Sequence, residues 1–308
     1  MDFALVLVPR LRNDILEIPS FAGISMASQL DHILSATRRQ VEERRHSIPR
    51  LTLERNAAAH RPRRFAEALR SKAACGAAVM AELKKASPSK GLIRQNFRVT
   101  ELARALEQGG AAALSVLTEE SFFQGSLANL AEASAAVAIP CLRKDFIVDE
   151  WQLVEARAYS ADAVLLIAAV LSDAELKALA RSAHSLDLDV LCEVHTAHEL
   201  DRVIGLDLGC EALGVNNRDL SSFATHMETS IELAQKLPAN VVRVAESGIH
   251  SAEDIQRLRA AGYDAFLIGE SLMRQPEPGR ALEELINGAA RLHAAGLQST
   301  DPHATERA

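Results

Sequence analysis

Eight short apolar runs, most of them followed by a helical pattern, fill the chain from residue 77 onward, and this alternation limits the fold more than any other feature. The runs are 77–84, 112–118, 140–146, 163–170, 189–195, 211–217, 241–247 and 265–271. Between them, segments such as 99–108, 149–158, 172–183, 197–204, 231–237 and 252–260 carry apolar residues at spacings of three and four. A helix that covers a sheet needs that spacing. Ser172-Asp173-Ala174-Glu175 and Ser251-Ala252-Glu253-Asp254 have the capping hydroxyl and early carboxylates of helix starts. Gly109-Gly110 and Gly262 suit helix ends. Eight strand–helix units, roughly 20–30 residues apart, predict an α/β fold, a single (β/α)8 TIM barrel, which takes ~250 residues. A doubly wound sheet would use fewer strands and usually a Gly-rich first turn, but no G-x-G-x-x-G or Walker-type loop occurs.

The barrel and its N-terminal helical extension are expected over 26–292, with 1–25 a poorly ordered extension and 293–308 a frayed tail. Two charged helical patterns, 29–45 and 62–71, precede the first run and are expected to cap a barrel end or overhang its mouth. No second barrel is expected after Leu297. A formal net charge of −7 gives no bulk attraction to nucleic acid or to an anionic membrane, so any anion site must be local. The longest apolar run, 163–171, is too short to span a bilayer. Cys75, Cys141, Cys192 and Cys210 show no paired spacing and read as core thiols of a reducing compartment, hence a cytoplasmic protein. His195 and His198 have no zinc-like partners, and neither metal nor cofactor is expected.

Barrel chemistry sits at the C-terminal ends of the strands. Strand one ends in Glu82 and Lys84, which period-two geometry turns to one face. Strand three places Lys144 on a face with Leu142 and Phe146; strand five ends in Glu193, strand six in Asn216, strand seven in Glu246 and Ser247, strand eight in Gly269. Taken singly, each Lys or Glu reads more readily as a surface charge, and Asn216 or Gly269 as a turn residue. Two lysines and three carboxylates converging on one mouth, among apolar strands, would be costly without a function. Crowding and partial desolvation are expected to lower the lysine pKa values and suit them to proton transfer. Ser247-Gly248 and Gly269-Glu270-Ser271 follow strands seven and eight, where barrels commonly hold a phosphate on loop amides. Glu270 is tolerable there if its backbone makes the contact and its side chain faces away.

These residues fall into a recognisable set: Ala81-Glu82-Leu83-Lys84-Lys85-Ala86-Ser87-Pro88-Ser89, Ser115-Val116-Leu117-Thr118-Glu119, Arg143-Lys144-Asp145-Phe146-Ile147, Gly214-Val215-Asn216-Asn217-Arg218-Asp219-Leu220 and Ala245-Glu246-Ser247-Gly248-Ile249. In combination and order, they resemble the indole-3-glycerol-phosphate synthases over roughly residues 28–290. The resemblance implies a phosphorylated small-molecule substrate, 1-(2-carboxyphenylamino)-1-deoxyribulose 5-phosphate, which closes its ring with loss of CO2 and water. It also implies roles. Lys144 is the general acid for ring closure, Glu193 works in the dehydration half, and Lys84, held by Glu82, binds the substrate carboxylate or acts as a second acid. Asn216 and Ser247 become ligands of substrate oxygens with Glu246 supporting them; Phe123 becomes a wall for the aryl ring, with Phe146 either a second wall or a barrel-core side chain. Ser87, Gly248, Gly269 and Glu270 hold the phosphate, while Thr118 and Glu119 shape their loop. Ala86 and Glu270 depart from some members, and neither change removes a proton-transfer group. Rival readings are another phosphate-binding barrel or a catalytically silent one. With 4% aromatic residues and a single Trp, Trp151, no interface anchor stands out and a monomer is expected.

Overall fold

The computed structural model describes residues 27–219 and 224–299. The extension at 1–25, Leu220 of the strand-six motif and the tail at 300–308 lie outside them. Eight parallel strands close into one barrel: β1 Ala78–Leu83, β2 Ala113–Leu117, β3 Cys141–Lys144, β4 Ala163–Ile167, β5 Asp189–Val194, β6 Ala212–Asn216, β7 Val242–Glu246 and β8 Ala265–Ile268, with β8 pairing back to β1. Each expected run contains one strand, shorter by a few residues. Glu82, Lys144, Glu193, Asn216 and Glu246 stay within the strands, while Lys84, Ser247 and Gly269 fall in the trimmed ends.

Alternation splits every strand between two cores. Outward residues such as Val79, Leu114, Val164 and Val190 pack under the surrounding helices. Inward residues such as Met80, Leu142, Leu165, Leu191, Val244 and Leu267 fill the barrel. Helices α1 (Ala27–Ser47), α2 (Arg50–Ala59) and α3 (Phe65–Cys75) come first. Helix α3 plugs the N-terminal end: Phe65 and Leu69, both 0% exposed, join the interior core, and the Ala66 amide donates to Asp189 at the start of β5. Helix α1 runs past the opposite end, where its Ile33 and Ala36 pack with Phe122 beside the mouth. The two N-terminal patterns therefore do both things expected of them, one at each end.

The remaining helices are α4 (Val99–Gln108), α5 (Leu127–Ala136), α6 (Glu150–Ala158), α7 (Asp173–Ser185), α8 (Ala197–Leu206), α9 (Glu228–Leu233), α10 (Ala252–Ala261), α11 (Glu270–Met273) and α12 (Pro278–Ser299). Both expected N-caps hold, with Ser172 and Ser251 accepting from the Glu175 and Asp254 amides. Three elements differ from expectation. The run 265–271 is strand only to Ile268; Glu270 and Ser271 open α11. Helix α5 follows β2, where the run Leu127-Ala128-Asn129-Leu130 has too little amphipathic contrast to stand out. Helix α12 continues through 293 to Ser299, although its last turns have little apolar spacing. Trp151, the lone candidate anchor, is 6% exposed and packs on Val41 and Leu53 of α1 and α2. No described helix is long and apolar enough to cross a membrane.

Candidate active site

The period of two that fills the barrel also delivers the site. Two residues after Met80, Leu142, Leu191, Val244 and Leu267 come Glu82, Lys144, Glu193, Glu246 and Gly269. The first four line one pocket at the C-terminal mouth, together with Lys84, Ser87, Phe123, Phe146, Asn216 and Ser247. Gly248, Gly269 and Glu270 lie in an adjoining recess shared with Glu82, Lys84 and Ser247. Every residue given a catalytic or ligand role from the sequence therefore lines the mouth or its recess.

Lys144 is the hub. Its Nζ donates to Glu193 Oε2 at 2.9 Å and lies 3.5 Å from Glu246 Oε2. Burial alone would lower its pKa, as the sequence suggested, but the attraction of Glu193, Glu246 and Glu82 outweighs burial and raises it. The expected lowered lysine is thus corrected for Lys144: it stays an ammonium. Burial would raise Glu193, yet Lys144 and His195 hold its carboxyl well below the usual range. Glu246 goes the other way. Burial, and then the charge of Glu193, push it well above the usual range, and among the described residues neither of its oxygens has a hydrogen-bond partner. Two neighbouring carboxyls with opposed pKa values make an ionised group and a neutral acid in one site. Glu246 therefore sits against Lys144 and Glu193 rather than supporting Asn216 and Ser247. Asn216 Oδ1 instead accepts from the Arg218 amide at 3.0 Å, and Asn217 Nδ2 donates to the Ser247 carbonyl at 3.0 Å.

Lys84 forms the second centre. Its Nζ is 3.5 Å from Glu82 Oε2 and 5.7 Å from the centroid of the Phe123 ring. Phe123 and Phe146 stand 6.4 Å apart at 45°, an aromatic corner facing that cation. Gly269 is needed because a Cβ there would meet Glu82 Oε2 at 2.4 Å. A Gly269→Ala variant is expected to push Glu82 off Lys84 and cost kcat by about 10-fold or more, with a smaller loss of Tm because Glu82 Cβ, 2.8 Å from the new methyl, must shift as well. Steady-state kinetics beside a melting curve would check this, and equal losses in both would point to a packing role alone.

Ser247 and Gly248 take φ values of 66° and 75°. For Ser247 this left-handed backbone costs about 1–2 kcal/mol, and such strain gathers at functional turns. Ser87 lies in a two-stranded hairpin, Ala86–Ser87 with Gly91–Leu92, and its buried hydroxyl has no hydrogen-bond partner among the described residues. The Glu270 carboxylate turns to Arg274 at 3.0 Å and toward Arg218 at 3.8 Å, which leaves its backbone on the recess.

Sequence reasoning missed four contributors, Leu30, Ile33, Arg218 and His195, and gave a fifth, Glu119, only a loop-shaping role. Leu30 and Ile33 reach the pocket from α1, a placement no local pattern encodes. Arg218, within the strand-six motif but given no role, lines both pocket and recess. His195 stands behind Glu193, with Nε2 3.3 Å from Glu193 Oε1. Glu119 was expected only to shape its loop, and it accepts from the amides of Ser121, Phe122 and Phe123 at 3.0, 2.7 and 3.0 Å. It thereby fixes Phe123. Burial pushes its carboxyl up to about 7 despite those donors.

The closed parallel barrel is a (β/α)8 TIM barrel, with lysines and carboxyls gathered at the C-terminal mouth where such barrels carry their active sites. Solved structures agree on the fold alone. The barrel matches 3-hexulose-6-phosphate synthase with a TM-score of 0.56 at 14% identity, covering 68% of this chain and 99% of that one. It matches thiamine phosphate pyrophosphorylase from Pyrococcus furiosus with a TM-score of 0.54 at 14% identity, covering 70% and 96%. Sequence relatives are far nearer. Indole-3-glycerol phosphate synthase from Koribacter versatilis is 57% identical over 261 residues, 85% of this chain and 100% of the relative. The Burkholderia cenocepacia enzyme of that name is 47% identical over 262 residues, with the same coverage. The family profile for indole-3-glycerol phosphate synthase matches residues 30–285. The chain belongs to the indole-3-glycerol phosphate synthase family, decarboxylating lyases of tryptophan biosynthesis.

Proposed function

We propose that this chain converts 1-(2-carboxyphenylamino)-1-deoxyribulose 5-phosphate to indole-3-glycerol phosphate, with Lys144 as the acid that drives ring closure. The observation that carries the reading is the Lys144 ammonium, fixed 2.9 Å from Glu193 in a pocket bounded by the Phe123–Phe146 corner. The aryl ring rests against that corner, and Lys84 meets its carboxylate. Ser87, on the pocket side, and the backbone of Gly248, Gly269 and Glu270, in the adjoining recess, take the phosphate between them.

In the closure step, the ring carbon bearing the carboxylate bonds to the ribulose carbonyl carbon. The carbonyl electron pair moves to oxygen, which takes a proton from Lys144. A lysine kept charged is a weak acid toward a ketone and a competent one toward a forming alkoxide, so its donation is strongest in the transition state. Breaking the bond to CO2 returns its electron pair to the ring. The new hydroxyl then leaves as water, taking a second proton, and the neighbouring CH2 loses one to a base. Glu193 and neutral Glu246, opposed in charge beside Lys144, supply that base and acid. Asn216 and Ser247 orient the ribulose oxygens. A monomer in the cytoplasm belongs to this reading: the pocket is lined by this chain, and its four cysteines are unpaired, as a reducing compartment leaves them.

The test is incubation of the purified protein with this substrate and no added metal, following the growth of indole fluorescence. Turnover is the expected result. A folded, phosphate-binding protein that leaves the substrate unchanged would move the function to another sugar phosphate.

A further inference from the structure

The stoichiometry of that reaction sets a problem that the pocket residues alone do not solve. The substrate's carboxylate is an anion and departs as neutral CO2. Two protons enter, one at the carbonyl oxygen and one with the departing water, and one leaves from carbon. Each turnover therefore takes up one proton. Lys144 and Glu193 are 14% and 2% exposed, and bound substrate would cover their open side.

Behind them, away from the pocket, lies a chain of titratable groups. Glu193 Oε2 holds Lys144 at 2.9 Å, and Glu193 Oε1 faces His195 Nε2 at 3.3 Å. The other ring nitrogen, Nδ1, lies 3.4 Å from Glu199 Oε2. Side-chain exposure rises along the row, from 2% at Glu193 to 7% at His195 and 16% at Glu199. The row ends in the first turn of α8, where Thr196, Ala197 and His198 are exposed. His195 thus stands between a buried carboxyl and the surface, its Nδ1 in hydrogen-bond contact with Glu199 and its Nε2 3.3 Å from Glu193 Oε1 but not aligned as a hydrogen bond. Burial would lower its pKa, but Glu193 from β5 and Glu199 from α8, the ionisable groups facing it among the described residues, raise it to about 9. It carries a proton at neutral pH.

We propose that Glu199 and His195 form a proton inlet that recharges the Glu193–Lys144 acid from solvent after each turnover. The proton that Glu193 takes from carbon goes back to Lys144, so the net deficit falls on Glu246, which Lys144, 3.5 Å away, refills. Doubly protonated His195 then gives its Nε2 proton to Glu193, whose carboxyl passes it to Lys144, and the ring, left with its proton on Nδ1, turns over and takes a new one through Glu199. No bond other than N–H and O–H changes, and solvent supplies the proton. Histidine suits this role because its two nitrogens let a proton enter on one side and leave on the other. The inlet rests on the functional reading above.

His195→Gln and Glu199→Gln test it. Glutamine at 199 keeps the oxygen that accepts the His195 amide at 2.8 Å, and so keeps the start of α8, but it cannot carry the proton. Both variants are expected to lose about 10-fold or more in steady-state kcat at unchanged KM, less than the 10²–10⁴ of a group that meets substrate directly. The first turnover, measured by rapid quench, draws on protons already stored and keeps its wild-type rate. Added imidazole restores the steady state of His195→Gln in proportion to its concentration. First turnover and steady state slowed alike, with no rescue, would reduce His195 to a support for Glu193 and overturn the inlet. Unchanged turnover in both variants would also overturn it. A wild-type protein that fails to turn over would instead bring down the functional reading, and the inlet with it.

Discussion

Lys144→Ala is expected to lower kcat by on the order of 10³-fold or more while leaving affinity for inorganic phosphate near wild type. The size follows from losing two contributions at once. A positioned general acid is worth roughly 10²–10⁴, and a preorganised cation at a developing oxyanion a further 10²–10³ or so. Phosphate affinity is spared because Ser87, Gly248 and Gly269 stand on other strands and loops. Lys144→Arg separates the two contributions, since a guanidinium keeps the charge but does not give up its proton. It is expected to fall between wild type and alanine. The alanine variant also leaves Glu193 and Glu246, 1% exposed each, without the cation between them. Both carboxyls are then expected to titrate higher in the folded protein than in the unfolded chain. The folded state binds the extra protons, so stability is retained at low pH and lost as pH rises through the folded values. Melting curves of Lys144→Ala should therefore fall further below wild type at pH 8 than at pH 5. Kinetics like those of wild type would remove Lys144 from the chemistry, whatever the melting curves show.

What was legible in the sequence and what was not divide along a physical line. Strand positions and the residues at their ends were readable because period two is strict: Leu142 inward forces Lys144 inward, and Leu191 forces Glu193. Charge states were not readable, since they depend on which groups meet in space. Lys144 was expected to titrate low, and the three carboxyls that reverse this come from β1, β5 and β7, more than 45 residues away in sequence. The family resemblance implied that Glu246 supports Asn216, its register partner on the neighbouring strand. Its side chain passes instead across the barrel toward Lys144. His195 was weighed only as a metal ligand, and nothing in Glu193-Val194-His195 shows that both nitrogens find carboxylates.

The residue next to Lys144 yields the largest expected effect on stability. Arg143 is the bulkiest fully buried side chain, and alternation points it outward, away from the pocket and into the layer between barrel and α6. Its Nη2 donates to Asp145 Oδ2 at 2.9 Å, its Nε to Thr118 Oγ1 at 3.2 Å and its Nη1 to the Gln152 carbonyl at 2.6 Å, with Glu155 Oε2 at 3.5 Å. Asp145 in turn accepts from Thr118 at 2.6 Å and from the Phe146 amide at 2.9 Å. One guanidinium thus ties the end of β2, the end of β3 and the body of α6. Arg143→Met keeps much of the volume and strands the Asp145 carboxylate, while Arg44, 2.7 Å from Glu155, still serves that group. Removing one partner from a buried pair costs about 3–5 kcal/mol, a Tm loss on the order of 5–15 °C for a chain of this size. Arg143→Lys is expected to recover only part of it, since an ammonium cannot serve Asp145, Thr118 and Gln152 together. The consequence reaches catalysis through the backbone. Arg143 precedes Lys144, and Asp145 holds the amide of Phe146, so a loosened β3 end displaces the acid and the aromatic wall together. Activity measured below the variant's Tm should then fall in kcat, and less steeply than in Lys144→Ala. A variant that melts with wild type would show that this buried network gives the barrel register and little stability.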